Sequence, residues 1–426
     1  MSAPGTIFAL SSGSPPAAVA IVRISGPKAD AALQHIAGQL PEPRLATLAR
    51  LRCGAETLDN ALILRFPGPA SATGEDVAEL HLHGGRAVVA SVLEALGRVE
   101  GLRPAEPGEF TRRAFENKRI DLAEAEGLAD LLTAETQSQR RAALAMAGGS
   151  VGRLVGAWRE QLLALSAQVE AALDFSDEGE VGDSLPEGWR EQADSLAGEI
   201  EAVLARPSTE RLKEGVRVAI AGPPNAGKSS LLNALAGREA AITSAIEGTT
   251  RDLVEAPTAI GGMPFLLIDT AGLRDSDDEV ERIGVGRARD ALERADLILW
   301  LGEPADCPDP DRAIRVSPKS DLSPPDPASD VGVSAVTGEG IDRLVAMLGE
   351  RASGLLPAEG DVALNARHRH AAEAIMQDVR QAGRISDFLA IAEALRHARL
   401  EVDRITGRAG VEDMLDALFG RFCIGK

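Results

Sequence analysis

One stretch, AIAGPPNAGKSSLLNALAG (residues 219–237), constrains the fold more than any other. Gly222 to Ser229 fit the pattern GxxxxGK[ST], between an apolar run typical of a buried strand and a helical pattern. Backbone N–H groups of such a loop wrap a phosphate, Lys228 supplies positive charge, and Ser229 offers a hydroxyl to Mg²⁺. A glycine-rich turn without nucleotide is the alternative interpretation. The strand–loop–helix context favours a nucleotide-binding α/β domain.

Two later motifs predict the parts that sense the γ-phosphate. In LLIDTAGLRD, Asp269 follows another strand and can reach magnesium through water, while the Gly272 amide can contact the γ-phosphate. Between this motif and the loop, EGTTRD offers the hydroxyls of Thr249 and Thr250, one of which can complete the metal shell. We therefore expect both Mg²⁺ and a nucleoside triphosphate at this site.

The segments SPKSD and VSAVTGEG predict a guanine pocket. Asp321 can accept hydrogen bonds from guanine, Lys319 can cover the ring, and the Ala335 amide can meet O6. Pro318 stands where the NKxD motif of guanine-specific proteins has asparagine, and proline cannot donate to the base. Losing that contact costs about 1–3 kcal/mol, so we expect weaker but still guanine-selective binding.

The residue that orients the attacking water is not the usual one. Ras-like GTPases carry a glutamine just after DxxG, where this chain has Leu273, which cannot orient water. Glu281, in DEVERIG, is the candidate replacement. A solvated charge within the acidic run RDSDDEVER is the alternative interpretation of Glu281.

Composition excludes several classes of protein. The net charge of −20 argues against non-specific nucleic-acid binding, so any nucleic acid must meet a local basic cluster such as RRAFENKR (residues 112–119). The chain has three cysteines without CxxC spacing, which argues against a disulfide framework or a cysteine zinc site. No apolar run is long enough to span a membrane, and no signal peptide is evident. These features predict a cytoplasmic protein.

Hydrophobic periodicity divides the chain into four segments. Residues 1–118 have β-rich α+β patterns, 119–210 and 355–426 are helical, and 211–354 alternate strands with helices. A helical segment on each side of the α/β segment indicates that the latter is inserted into a helical domain, which requires the two ends of the insertion to lie close together. Trp158, Leu162, Leu165, Val169 and Leu173 form one helical stripe.

A strand in EDVAELHLHGG places Glu79, His81 and His83 on one face and apolar residues on the other. The two histidines raise the question of a metal, but without further ligands they are better interpreted as pocket or strand-face residues.

The ending RFCIGK presents a cysteine, Cys423, close to the end of the sequence. Three interpretations are open: a lipid-attachment box, an accidental residue, or a reactive group delivered to a site. Gly425 and Lys426 fit a C-a-a-X box poorly. A helical pattern carrying Met414, Leu418 and Phe422 leads into the cysteine, so we expect the ending to be docked.

Together these motifs resemble the bacterial MnmE (TrmE) family of tRNA-modification GTPases along the full chain. The resemblance is carried by RISG, SATGEDVAELHLHGG, PGEFTRRAF, DLAEAEGLADLL, the phosphate-binding loop, DTAGLR, VERIG and FCIGK. It implies a multidomain α/β and α fold: an N-terminal α+β folate-binding and dimerisation domain (1–118), a helical domain of two segments (119–210 and 355–426), and an inserted P-loop, Ras-like G domain (211–354).

The resemblance implies GTP hydrolysis when two G domains meet around a potassium ion. It assigns K⁺ to Asn225, Ser244, Ile246 and Thr249, Mg²⁺ to Ser229 and Thr250, and catalysis to Glu281. The implied GTP-binding residues are Asn225, Ala226, Gly227, Lys228, Ser229, Ser230, Ser244, Ala245, Ile246, Glu247, Gly248, Thr249, Thr250, Asp269, Thr270, Ala271, Gly272, Lys319, Asp321, Ser334 and Ala335.

The resemblance also implies a one-carbon site and partners. A 5-formyl- or 5,10-methylene-tetrahydrofolate would contact Arg23, Glu79, Arg119 and Lys426. Arg119 stands where the family often has lysine. Cys423 would be required for modification. The expected assembly is a homodimer that joins an FAD-containing MnmG (GidA)-type partner, with a heterotetramer as the expected form, to modify carbon 5 of the wobble uridine (position 34) of certain tRNAs to a (carboxymethyl)aminomethyl derivative.

Two rival hypotheses share the nucleotide motifs. One is a regulatory GTPase of the ribosome-assembly type without covalent chemistry, which does not predict the folate-domain pattern or a cysteine in the ending. The other is a structural dimer with an impaired G domain, motivated by Pro318.

Overall fold

The structure is a computed structural model that describes residues 5–175, 185–237, 254–270, 289–408, 412–420, 422, 424 and 425. Tertiary contacts divide the chain into two compact units, one of Met1–Ala129 with Asp403–Lys426 and one of Asp130–Val402. Each unit combines helices with a six-stranded sheet, so the predicted multidomain α/β class is confirmed.

The first unit is built on a sheet of strand order β3-β4-β5-β2-β1-β6. Its strands are β1 (Thr6–Leu10), β2 (Val19–Ser25), β3 (Thr47–Cys53), β4 (Glu56–Phe66), β5 (Val77–His83) and β6 (Leu102–Pro104). Strands β1 and β6 run parallel and all other neighbours run antiparallel. An antiparallel sheet can bury one face and leave the other accessible, which suits a binding surface.

Helices pack on the apolar face of this sheet. The helices of the unit are α1 (Ala29–Ala37), α2 (Arg86–Gly97), α3 (Glu109–Glu116), the first part of α4 (Leu122–Thr133), and α13 (Glu412–Phe419). Alternate residues of the strands, such as Val22 and Leu80, are fully buried beneath α1 and α2. The residues between them, including Arg23 and Glu79, project from the opposite face, as the period of two predicts.

A buried ionic network anchors α3. Glu109 is 5% exposed and accepts hydrogen bonds from Arg103 Nη1 (2.8 Å), Arg113 Nη2 (2.9 Å) and the Glu106 amide (2.9 Å). Burial raises the pKa of Glu109, but the hydrogen bonds from Arg103, from the Glu106 backbone and from Arg113 outweigh it, and the pKa is lowered. Arg113 in turn contacts Glu75 at 3.0 Å.

The cluster RRAFENKR was named from sequence as the kind of local basic cluster that any nucleic acid must meet, and one of its members, Arg113, is 3% exposed and paired internally. Arg112 donates to Asp416 Oδ1 at 2.8 Å. Of its four basic side chains, Lys118 and Arg119 are exposed and Arg112 is half-buried, and the meeting of this cluster with nucleic acid stays a prediction.

The second unit contains a sheet of strand order β12-β11-β10-β7-β9-β8. Its strands are β7 (Val216–Ala221), β8 (Val254–Ile260), β9 (Met263–Asp269), β10 (Leu297–Trp300), β11 (Ala313–Pro318) and β12 (Val331–Val333). All neighbours run parallel except β8 and β9. Because β7 is central and apolar, the loop that follows it is held on a rigid, buried strand.

Helices complete the second unit. They are α5 (Gln137–Ala147), α6 (Ser150–Phe175), α7 (Trp189–Leu204), α8 (Glu210–Glu214), α9 (Lys228–Ala236), α10 (Ile341–Ser353), α11 (Ala366–Arg384) and α12 (Phe388–Thr406). The predicted stripe of α6 is confirmed, since Trp158, Leu162, Leu165 and Val169 are buried. Within the described ranges, none of the helices has the length and apolarity needed to cross a bilayer.

The geometric condition for an inserted domain is met. The Thr209 amide, just before α8, donates to the Leu364 carbonyl, just before α11, at 3.3 Å. The chain therefore leaves the first helical segment and re-enters the second at neighbouring points. The division into four segments at residues 118, 210 and 354 stays a prediction.

Candidate functional site

The loop between β7 and α9 has the backbone of a phosphate cradle. Gly222 has φ 147°, and a Cβ there would lie 2.9 Å from the Leu301 backbone carbon. Asn225 (φ 58°) and Gly227 (φ 95°) are also left-handed. Both glycines are thus required by conformation, and Gly222 also by the close approach of the backbone at Leu301, just after β10. The loop leads into the N-terminus of α9.

The charged and hydroxyl groups of the motif meet at this loop. Lys228 Nζ donates to the carbonyls of Gly222 (3.0 Å) and Pro223 (2.8 Å). Ser229 Oγ donates to Asp269 Oδ2 at 2.6 Å. The two residues meet because β7 and β9 are parallel neighbours, with Ile220 near the end of β7 in register with Asp269 at the end of β9. A hydroxyl and a buried carboxylate in contact at a phosphate loop are the donor set for hydrated Mg²⁺.

A cavity of 160 Å³ lies beside the loop, where the base of a nucleotide is expected. Lys319, at φ 58°, donates from Nζ to the Asn225 carbonyl at 2.8 Å, which joins the base motif to the phosphate loop. The cavity is lined by Ala226, Gly227, Ser230, Leu231, Leu301, Pro318, Lys319, Asp321, Leu322, Val333, Ala335 and Val336. The predicted base residues Lys319, Asp321 and Ala335 are therefore brought together.

The loop after β12 is fixed by its own hydrogen bonds. Ser334 is fully buried, and its hydroxyl accepts from the Thr337 amide at 3.1 Å. Its amide donates to the Glu339 carbonyl at 2.9 Å. A Cβ at Gly340 would lie 1.9 Å from the Gly332 carbonyl oxygen, so only glycine fits there. These contacts fix the loop that places Ala335 in the lining of the cavity.

Five apolar lining residues were missed from sequence: Leu231, Leu301, Leu322, Val333 and Val336. Leu322 and Val336 are 78% and 87% exposed and flank the cavity, although they directly follow motif positions. Thr270, predicted among the nucleotide residues, instead donates its hydroxyl to the Ile220 carbonyl at 2.8 Å. The predicted residues Ser244, Ala245, Ile246, Glu247, Gly248, Thr249, Thr250, Ala271, Gly272, Glu281, Cys423 and Lys426 lie outside the described residues.

The first unit holds a second cluster on the face of its sheet opposite α1 and α2. Arg23 donates from Nε (3.0 Å) and Nη2 (2.9 Å) to Glu79 Oε1, and the two residues are cross-strand partners. The Arg23 guanidinium lies 5.7 Å from the ring centroid of Phe110, which is 2% exposed. The pair of Arg23 and Glu79 was predicted from the sequence, whereas Phe110, which comes from α3, was not.

The segment around Ile424 docks beside this cluster. Ile424 forms a β-bridge with Pro107, and Phe422 is 5% exposed. A Cβ at Gly425 would lie 2.0 Å from the Leu10 carbonyl oxygen. Leu10 is adjacent on β1 to the residue paired with Arg23, so the described part of the ending lies at the rim of the same sheet region, and the prediction of a docked ending is confirmed for it.

The remaining predicted residues of the first unit are more dispersed. Arg119 is exposed and packs against Gly74, and no hydrogen bond or ion pair in the described part links it to Arg23 or Glu79. His83 Nδ1 contacts Asp59 Oδ1 at 2.7 Å. Among the described residues, no group of three or more histidine, cysteine or carboxylate side chains is placed to hold a metal ion.

Comparison with known proteins identifies the family. The model of the MnmE helical domain matches residues 122–423, and that of the GTP-binding protein TrmE N-terminus matches residues 6–119. A protein of Erythrobacter litoralis named tRNA modification GTPase MnmE is 57% identical over 99% of this chain and 100% of its own. The chain belongs to the MnmE family. A second MnmE, from Rhizorhabdus wittichii, is 56% identical over 100% of this chain and 97% of its own.

Solved structures add a local likeness. The G domain of the T. maritima FeoB iron transporter is 28% identical, with 98% of its chain and 32% of this one covered and a TM-score of 0.23. The strand order and the cradle geometry described above, rather than this alignment, establish the α/β domain of this MnmE-family chain.

Proposed function

We propose that this chain is a potassium-dependent GTP hydrolase that acts in the modification of the tRNA wobble uridine. Its MnmE-family membership supports GTP hydrolysis in tRNA modification. The observation that carries the proposal is the contact of Ser229 Oγ with Asp269 Oδ2 at 2.6 Å, next to the cradle and the base cavity. A phosphate loop, a magnesium donor set and a base pocket around one point are what a nucleoside triphosphatase needs.

Described residues next to the cradle offer oxygen ligands that support the two proposed cations. Ser229 supplies a hydroxyl for Mg²⁺, with Thr250 as its proposed second protein ligand. No hydrogen bond within the described segments occupies the Asn225 side chain, so its neutral amide oxygen is available to K⁺, together with Ser244, Ile246 and Thr249. Potassium, when bound, supplies positive charge beside the transferred phosphate, in the role of an arginine finger.

The chain's own groups then carry the remaining work of hydrolysis. Lys228 and the left-handed loop hold the phosphates, and Lys319 keeps the base motif in contact with that loop. Leu273 cannot orient water, so Glu281 is proposed to order the attacking water from its carboxylate. Hydrolysis would therefore depend on the Glu281 carboxylate.

The cluster of Arg23 and Glu79 is proposed to bind a tetrahydrofolate derivative, 5-formyl or 5,10-methylene, with Arg119 and Lys426 as further contacts. Glu79 can accept from the pterin amino group and ring N–H, and an arginine can meet a carbonyl or carboxylate. Folate supplies the one-carbon unit when bound. The docking of Ile424 at the rim of the same sheet region supports a role for Cys423 next to this site.

Partners are proposed from family membership and from one exposed surface. Leu48 on edge strand β3 is 69% exposed, and its cross-strand partner Leu62 is 45% exposed. Burying such a pair favours a homodimer through the first unit. An FAD-containing MnmG (GidA)-type partner, joined in a heterotetramer, would complete the modification of carbon 5 of uridine 34 to the (carboxymethyl)aminomethyl form, in the cytoplasm. The four-segment organisation (1–118, 119–210, 211–354, 355–426) belongs to the same proposal.

Two measurements test the proposal. GTP turnover is compared in K⁺ and in Na⁺, and we expect turnover in K⁺ only. Equal turnover in both salts would remove the potassium mechanism, and none in either would favour an impaired scaffold. Wobble nucleosides are then analysed in tRNA from cells lacking the gene and from cells carrying Cys423→Ser. Unchanged modification in the deletion would leave a regulatory GTPase as the better assignment.

A further inference from the structure

The aromatic ring of Phe110 lies beside the charged cluster without being part of its surface. The ring belongs to a small buried cluster with Ile7, Ala9 and Ala105. Ala9 on β1 is the cross-strand partner of Arg23 on β2, so the two residues share one face of the sheet. Because Phe110 is 2% exposed, its ring offers a ligand almost no surface of its own. Any effect of Phe110 on a ligand must therefore pass through a neighbouring side chain.

Arg23 is the neighbour that meets the ring, and it is held by two kinds of contact. Its Nε and Nη2 donate to Glu79 Oε1 at 3.0 and 2.9 Å. Its Cζ atom lies over the Phe110 ring, 5.7 Å from the centroid, within the range in which a guanidinium is attracted to the ring face. The amino group and ring N–H of a pterin would compete with Arg23 for the Glu79 carboxylate. These donors do not compete for the contact with Phe110, because the ring is buried.

The position of the ring is fixed by the anchoring of α3. Glu109, the residue before Phe110, accepts hydrogen bonds from Arg103 Nη1 at 2.8 Å and from Arg113 Nη2 at 2.9 Å. At the start of the helix, a Cβ at Gly108 would clash with the Phe419 carbonyl oxygen, so α3 and α13 are in close contact there. The ring therefore keeps its place whether or not a ligand occupies the cluster.

We propose that Phe110 is a positioning residue of this site, whose ring face holds the Arg23 guanidinium in place while a pterin-class ligand engages Glu79. This inference rests on the proposed folate site. When ligand donors share Glu79 Oε1, the hydrogen bonds of Arg23 to that oxygen weaken, and the cation–π contact supplies the remaining hold. Arg23 then stays oriented toward a carbonyl or carboxylate of the ligand, and less side-chain freedom is lost on binding.

Stepwise fluorination of the ring tests this role, because fluorine withdraws electrons from the ring face and changes the shape of the side chain little. Phe110 of the full chain is replaced by 4-fluoro-, 3,5-difluoro- and 3,4,5-trifluorophenylalanine through amber suppression. The affinity for 5-formyltetrahydrofolate is measured by isothermal titration calorimetry. We expect affinity to fall with each added fluorine, by about two- to fivefold in the trifluoro protein, the size of a cation–π contact at a partly exposed site.

Phe8 provides the matched control. It is 3% exposed and belongs to the same unit, but its ring packs in the core beneath α1 and α2, on the other face of the sheet. The same fluorinated series at Phe8 should leave the affinity unchanged. Circular dichroism and the thermal midpoint check that every protein in both series is folded.

The outcomes separate the role of Phe110 from the site itself. An affinity that does not follow the number of fluorines at Phe110 overturns the role of the ring while the folate site stands. An equal loss in the Phe8 series also overturns it, because the loss would then reflect a general disturbance of buried rings. Absence of 5-formyltetrahydrofolate binding by the wild type overturns the proposed folate site, and the inference with it.

Discussion

Replacing Glu109 by glutamine tests whether the ionic network of the first unit is structurally essential. The carboxylate accepts from Arg103 and Arg113 and from the Glu106 amide, and it is 5% exposed. Glutamine keeps the shape but turns one acceptor oxygen into a donor that faces other donors. Among the described residues, Arg113, at 3% exposed, then retains Glu75 as its one charged partner. Removing one partner of a buried ion pair costs about 3–5 kcal/mol of stability. We therefore expect Glu109→Gln to lower the unfolding free energy of the first unit by about that amount.

A matched control exists on the same unit. Glu94 pairs with Arg98, and the side chains are 67% and 64% exposed. Surface pairs contribute up to about 1 kcal/mol, so Glu94→Gln is expected to change stability by less than that. Because the two units of the chain need not unfold in a single transition, the stability of the first unit is measured locally. The assay is native-state hydrogen exchange of the amides of residues 102–116 in increasing urea. If Glu109→Gln lowers the unfolding free energy by no more than Glu94→Gln does, burial of the Glu109 ion pairs does not make them more stabilising than a surface pair.

The same network predicts a pH dependence with a definite sign. The pKa of Glu109 lies below its ordinary value of 4.5 in the folded chain, since its hydrogen bonds outweigh the effect of burial. A lowered carboxyl pKa contributes stability that is present above the unfolded pKa and is lost as pH falls through the folded pKa. The difference in unfolding free energy between the wild type and Glu109→Gln should therefore shrink below about pH 4.5. A difference that grows in acid would contradict this assignment.

Three further substitutions probe the proposed function. Pro318→Asn restores a donor at the base cavity and should tighten GTP binding by about five- to hundredfold in calorimetry, and unchanged affinity would mean that the asparagine contact is dispensable here. Ser229→Ala removes the hydroxyl next to Asp269 and should lower magnesium-dependent GTP turnover at least about tenfold, with unchanged turnover refuting its role as a ligand. Leu48→Asp places a charge on the exposed edge strand and should convert a dimer to a monomer in sedimentation, and a persistent dimer would place the interface elsewhere.

The nucleotide site was predictable because its chemistry is local. The turns at Gly222 and Gly227 are dictated by backbone conformation within a few residues, and the motif spacing carries that information. The contact of Arg23 with Glu79 depends on the register of β2 and β5. From the sequence, only the family resemblance predicted that these two residues belong to one site. Phe110 was missed because its position depends on the packing of α3, which no local pattern reveals. The burial of Arg113 could not be predicted for the same reason, since a basic run in sequence does not show which of its members will pair with a distant carboxylate such as Glu75.

Gly425→Ala tests how the ending is held. A Cβ at this position would lie 2.0 Å from the Leu10 carbonyl oxygen, in a backbone at φ 100°. The added Cβ would meet backbone atoms of Leu10, which cannot move aside as a flexible side chain would. The segment around Gly425 must therefore move away from β1. Gly54→Ala is the matched control, since its φ of 60° is also left-handed but nothing lies within 4 Å of its Cβ. The backbone strain of placing alanine at a left-handed φ, about 1 kcal/mol, is common to both variants. The steric clash of the Cβ with Leu10 occurs in Gly425→Ala alone. Trypsin cleavage after Arg421 should accelerate only in Gly425→Ala, together with a loss of wobble-uridine modification. Equal cleavage rates in the two variants would mean that Phe422 and the bridge of Ile424 to Pro107 hold the segment without close packing at the glycine.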